Sequence, residues 1–156
     1  MLPLTGKEIV DLVEKSGKIP NFLGVFPANR LPSYLNEKPF CLVVNLDFDH
    51  QIGSHWCSLM ITQAMGLYFD SFGNPPPPII EQFIARNSKT NWKFNDSRIQ
   101  SDTELSCGYY ALIFLIFANT NKLSTFYKHF KNCEFNANRK KLISLKKLFF
   151  DNKKLF

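Results

Sequence analysis

The stretch Gly-Tyr-Tyr-Ala-Leu-Ile-Phe-Leu-Ile-Phe-Ala at residues 108–118 carries no charge and no breaking residue, and it is longer than most strands. A helix that is apolar on every side has to be buried, so the rest of the chain must supply its cover. Asn119-Thr120-Asn121 marks its end. Cys107 stands at its head. The unpaired N–H groups and the positive end of the helix dipole favour an anion there, which makes a thiol at that position a candidate nucleophile.

A free thiol, with a pKa of about 8.5, is mostly protonated at neutral pH and needs a base or a positive field to react. His55 is the candidate base, and Asp70 the candidate acceptor that fixes its tautomer and steadies the imidazolium. Gln100, seven residues before Cys107, offers an amide that, with the Cys107 backbone N–H, would stabilise an oxyanion. Residues 54–62 and 66–70 read as two short strands joined by a tight turn at Gln63-Ala64-Met65. Paired as a hairpin, they carry His55 to the far end of the second strand, beside Asp70.

Each of these residues has an ordinary structural explanation when taken alone. A cysteine beside an apolar helix is usually a small buried hydrophobe. His55 could be a core histidine, Asp70 a turn initiator before Ser71-Phe72-Gly73, and Gln100 a cap. His50, at a loop tip in Asp49-His50-Gln51, and His129, in a Lys-rich stretch, read as surface residues. The joint pattern outweighs these readings and points to cysteine peptidase chemistry.

The order His, Asp, Cys, with Trp56 after the His, the acid inside Phe69-Asp70-Ser71-Phe72-Gly73, and Gln100 ahead of Cys107-Gly108, resembles the adenovirus-type maturation proteases. Their wider clan includes the proteases that process ubiquitin-like proteins. Asn45-Leu46-Asp47 before Gly53-Ser54-His55-Trp56, together with Tyr68–Gly73 and the prolines after it, looks most like the versions in Maverick/Polinton elements and virophages. The resemblance spans roughly residues 22–118 and fades in the last 35. It implies Cys107 as nucleophile, His55 as general base, Asp70 as third member and Gln100 as oxyanion-hole amide, with Trp56 and Gly108 on the substrate. The adenoviral enzymes usually have Glu at the position of Asp70, whereas Asp is common in the wider clan. They are also activated by a disulfide-linked peptide and by DNA. No cysteine here matches the disulfide partner, so peptide activation has no support in the sequence.

The remaining features bound the architecture. Thr5-Gly6-Lys7-Glu8 is a capping-box pattern for a first helix, and no secretory signal precedes it. That places the expected protein in a reducing compartment. Cys41 and Cys57 read as packing thiols on strands, and the four cysteines form no C-x-x-C pair, so no metal is expected. Pro75–Pro78 reads as a rigid turn into a helix near Ile79, and residues 91–94 as a further strand. The whole, residues 1–156, is expected to be one α+β domain with a mixed sheet packed by helices, and no run reaches transmembrane length.

Charge is concentrated at one end. Residues 122–156 carry ten Lys or Arg against two acids, whereas residues 1–121 carry nine against eleven. The usual meaning is a solvated helical face; the alternative is an anionic partner. Leu142, Leu145, Leu148 and Phe149 recur at helical spacing, which suggests an amphipathic helix with a basic outer face. The resemblance makes double-stranded DNA the expected partner of this basic segment, and DNA the expected activator, with no cofactor needed for the chemistry. It implies an endopeptidase that cleaves capsid precursor proteins, working in the virion and the interior of an infected cell. A protease for ubiquitin-like proteins and a non-catalytic DNA-binding scaffold are the competing readings.

Overall fold

The computed structural model describes residues 1–50, 55–88 and 91–151. Helix α1 spans Gly6–Ser16 and opens with the expected capping box. The Thr5 hydroxyl accepts from the Glu8 N–H at 3.2 Å, and the Glu8 carboxylate reaches back to the Thr5 N–H at 3.4 Å. Strands β1 (Phe22–Pro27), β2 (Phe40–Asn45), β3 (Trp56–Ile61) and β4 (Gly66–Phe69) follow, then helix α2 (Pro78–Ser88) and strand β5 (Trp92–Phe94). Helices α3 (Cys107–Asn119), α4 (Leu123–His129) and α5 (Phe135–Lys146) complete the chain, with a π-helical turn at Lys147–Asp151. Ser54, expected at the head of β3, and Gln51, Lys153 and Lys154 lie outside the described residues.

The strands lie in the order β1-β2-β3-β4-β5. The outer pairs β1–β2 and β4–β5 are parallel, and β2–β3 and β3–β4 are antiparallel. This is a mixed sheet, and the class is α+β as expected. Every residue of β2 is buried because both faces of the sheet are covered. Its alternation sends Cys41 and Val43 into one core and Phe40, Leu42 and Val44 into the other. Helix α2 closes the second core with Ile80, Phe83 and Ile84. It begins at Pro78, whose missing N–H costs nothing in a first turn.

Helix α3 crosses the first face, and each residue from Cys107 to Phe117 is buried. Phe114 stacks on Phe69 of β4 at 4.6 Å, and Phe126 of α4 meets both rings edge-on at 5.4–5.5 Å. The apolar run is thus sandwiched between sheet and helices, which is what an all-round apolar helix demands.

The basic segment departs from expectation in one respect. Leu142 and Leu145 are buried, but Leu148 is 54% exposed and Phe150 takes the inward position, with Phe149 half-buried. The π-helical turn inserts one residue beyond the α-helical period, so the apolar stripe slips from position 148 to 149 and 150. His129 lies at the surface half-buried, its ring edge-on to Phe117 at 5.8 Å.

Candidate active site

Strand β3 starts at Trp56, β4 ends at Phe69, and Ser58 pairs with Phe69. His55 and Asp70 therefore leave the sheet at the same end. His55 Nε2 lies 2.6 Å from Asp70 Oδ1, with both residues buried. Oδ1 also accepts the Phe72 N–H at 2.8 Å. Asn95, just past β5, continues the pairing of the sheet with its side chain. Its Oδ1 accepts the Asp70 N–H at 3.0 Å and its Nδ2 donates to the Asp70 carbonyl at 2.7 Å. The Phe72 ring stacks on the imidazole at 4.5 Å and 18°, and Arg98 covers its other face at 5.1 Å. His55 is thus held at its ring edge by a carboxylate and on its face by an aromatic.

Burial alone would lower the basicity of His55. Burial is the largest single influence, but Asp70 and, after it, the nearby thiols of Cys107 and Cys57 together exceed it, and His55 is pushed up to about 12. Charge at this site is therefore stabilised on the imidazole.

Cys107 is the first residue of α3 and is 8% exposed. Its Sγ accepts the backbone N–H of Trp56 at 3.5 Å, and the Trp56 indole donates to the Leu4 carbonyl at 2.8 Å. A methyl group on Gly108 would stand 3.1 and 3.2 Å from the Leu4 side chain and 3.4 Å from Trp56, so glycine lets the helix head sit tight beneath that pair. Gln100 is buried. Its Nε2 donates to the Glu104 carbonyl at 2.8 Å, and its Oε1 accepts from the Ser71 hydroxyl at 2.6 Å.

His55, Trp56, Gln100 and Cys107 line one cleft of about 190 Å³, with Phe72 and Leu4 in its walls. The residues singled out from sequence thus converge. Asp70 stands behind His55, and Gly108 lies under the wall rather than facing the cleft. His50 is not in its lining, and its side chain is 73% exposed beside Asp49. Sequence reasoning did not assign Ser71, Phe72, Asn95 or Leu4. Ser71 and Phe72 were signalled by their place beside Asp70, whereas nothing in the sequence pointed to Asn95 or Leu4.

The ligand atoms of His55, Cys57 and Asp70 lie within 4.8 Å of one another, all buried. The donor set is a poor metal site. A metal needs a thiolate, while burial pushes the Cys57 thiol up, and His55 Nε2 is already held by Asp70. Cys41 is pushed up to about 11 by burial, in keeping with a packing thiol.

No protein-family model matches the chain, and no curated protein matches its sequence. Solved structures do match in shape. The ASFV pS273R protease superposes with a TM-score of 0.67 at 18% identity, over 96% of this chain and 67% of that one. A selenomethionine form of the same protease gives 0.54 at 21% identity, over 73% of this chain and 44% of that one. The SUMO protease Ulp1 gives 0.51 at 15% identity, over 94% of this chain and 77% of that one. The fold is that of the adenain/Ulp1-like cysteine proteases. This chain spans less than half of the selenomethionine ASFV chain it matches and two thirds of the other.

Proposed function

We propose that the protein is a cysteine endopeptidase of viral or mobile-element origin that cleaves capsid precursor proteins. The observation that carries the reading is the 2.6 Å contact between His55 and Asp70, with Cys107 lining the same cleft as that imidazole. His55 takes the Cys107 proton, and the sulfur adds to the scissile carbonyl carbon. Gln100 and the Cys107 N–H hold the oxyanion. Collapse breaks the C–N bond, and the imidazolium gives its proton to the leaving amine. Water then attacks the thioester with His55 as base, releasing the acid and the free thiol. Asp70 orients His55 throughout.

A cleft of about 190 Å³ beside Trp56 is small against the usual 300–1,000 Å³ of ligand pockets. By resemblance to the adenovirus-type proteases, glycine stands next to the cut bond, with Trp56 against the substrate backbone. The motif around Asp70 supports an origin among Maverick/Polinton or virophage enzymes, and with it a place in the virion and the infected cell. No described helix is long and apolar enough to cross a membrane.

Double-stranded DNA is the proposed activator, held by the basic outer face of α5. Arg139 and Lys140 are exposed on α5, and Lys147 is exposed just beyond its end. Leu142 and Leu145 tie the same helix into the core, so the test removes charge rather than chain. Replacing those three residues by Ala should weaken binding to random duplex and reduce the slope of log K against log salt by about 0.9 per lost phosphate contact. An unchanged slope would remove DNA from this face.

The activity is tested by incubating the protein, and Cys107→Ala beside it, with a proteome-derived peptide library and with a SUMO fusion carrying a C-terminal extension. New termini after glycine, made by the native protein alone, support the reading. Cleavage of the fusion alone would favour the second reading, supported by likeness to a SUMO protease. No cleavage by either would leave the scaffold reading.

A further inference from the structure

We infer that Ser71 is a positioning residue that locks the Gln100 amide with an N–H aimed at the developing oxyanion; this rests on the proposed peptidase reading. The Glu104 carbonyl can only accept, so the end of the Gln100 amide that faces it at 2.8 Å must be the NH2 group. The other end is therefore Oε1, and the Ser71 hydroxyl, 2.6 Å away, must donate to it. One hydrogen of the NH2 group is committed to Glu104, which leaves the second for the cleft that Gln100 shares with Cys107. Ser71 is fully buried and Gln100 is 1% exposed, so Oε1 lies in a site where losing its partner is costly.

The backbone makes the arrangement specific to this serine. The Ser71 carbonyl accepts the N–H groups of Ile99 at 2.9 Å and Gln100 at 3.1 Å. On the far side, Asn138 Nδ2 donates to the Ile99 carbonyl at 3.1 Å. The main chain of Gln100 is thus fixed without the hydroxyl, and the hydroxyl is left with one task, the orientation of the amide. Asp70 and Ser71 are adjacent, so a single turn aims the imidazole with one side chain and the oxyanion donor with the next. Loss of the Ser71 hydroxyl leaves the buried Oε1 unpaired and the amide held at its Glu104 end alone, so its second N–H is no longer fixed on the cleft.

The test uses the full chain and N-benzyloxycarbonyl-glycine p-nitrophenyl ester, whose hydrolysis passes through the same tetrahedral adduct, alongside iodoacetamide alkylation of Cys107. Alkylation is a displacement at a saturated carbon and needs no oxyanion donor. Ser71→Ala should lower kcat on the ester about tenfold, the worth of about one buried hydrogen bond, with KM and the alkylation rate unchanged. Gln100→Ala should lower kcat about a hundredfold, and the double variant should be no slower than Gln100→Ala, because the hydroxyl acts only through the amide. A double variant slower by the product of the two single effects would overturn the inference, as would a loss of alkylation in Ser71→Ala equal to its loss of kcat. If the native protein hydrolysed no ester while its Cys107 still alkylated, the peptidase reading would fall and the role of Ser71 with it.

Discussion

Gly73→Ala should damage the site through the backbone, and Gly17→Ala supplies its control. Both glycines have positive φ, 76° at Gly73 and 61° at Gly17. Holding alanine in that region costs about 1–2 kcal/mol at either position. At Gly17 the added methyl meets nothing within 4 Å, so the cost ends there. At Gly73 it would lie 2.8 Å from the Ser97 oxygen, 2.9 Å from the Ser97 carbonyl carbon and 3.1 Å from the Arg98 nitrogen. These are backbone atoms, and the next residues, Ile99 and Gln100, are bonded to the Ser71 carbonyl, so no side chain can yield. Overpacking of that kind adds about 1–3 kcal/mol. The expected loss is therefore about 2–5 kcal/mol for Gly73→Ala against about 1–2 for Gly17→Ala. Urea unfolding followed by tryptophan fluorescence reads both, and ester hydrolysis should fall in Gly73→Ala alone. Equal losses of stability would refute the close approach of the two turns.

Stability should fall as pH rises through neutral, because His55 is raised from about 6.5 to about 12. Its contribution is complete below about pH 6.5 and is lost progressively as pH climbs toward about 12. Urea midpoints at pH 6 and 9 should differ less in His55→Gln than in the native protein; an equal difference would remove His55 as the source. Leu142→Ala should cost about 2–5 kcal/mol and Leu148→Ala less than about 0.5, since only the first is buried. A reversed order would restore the uninterrupted α-helical stripe. His55→Ala should cost nearly as much ester hydrolysis as Cys107→Ala, and Asp70→Asn less than either. A larger loss in Asp70→Asn would mean that Asp70 chiefly supports the fold at the end of β4.

The legible parts of the chain were those in which local pattern and tertiary role coincide. The run after Cys107 could only be a buried helix, Thr5 and Glu8 announced α1, and the hairpin of β3 and β4 followed from two short strands and a turn. Once that hairpin is paired, His55 and Asp70 must meet. What the sequence hid depends on distant segments. Asn95 reaches Asp70 from β5, Leu4 roofs Trp56 from the first residues, and neither contact has a local signature. Leu148 was misread because a π-helical turn changes the period within one turn, and periodicity assumes that the period holds.

Whether Cys107 is an activated nucleophile is tested most directly by a competition within one molecule. Cys133 is exposed, Cys107 is 8% exposed, and Cys41 and Cys57 are buried. Accessibility alone therefore favours Cys133. With limiting iodoacetamide at pH 6.5 and peptide mass spectrometry, the account predicts that Cys107 is labelled first in the native protein and that His55→Ala reverses the order. Cys133 labelled first in the native protein would contradict it, and would leave Cys107 a packing thiol at the head of a buried helix.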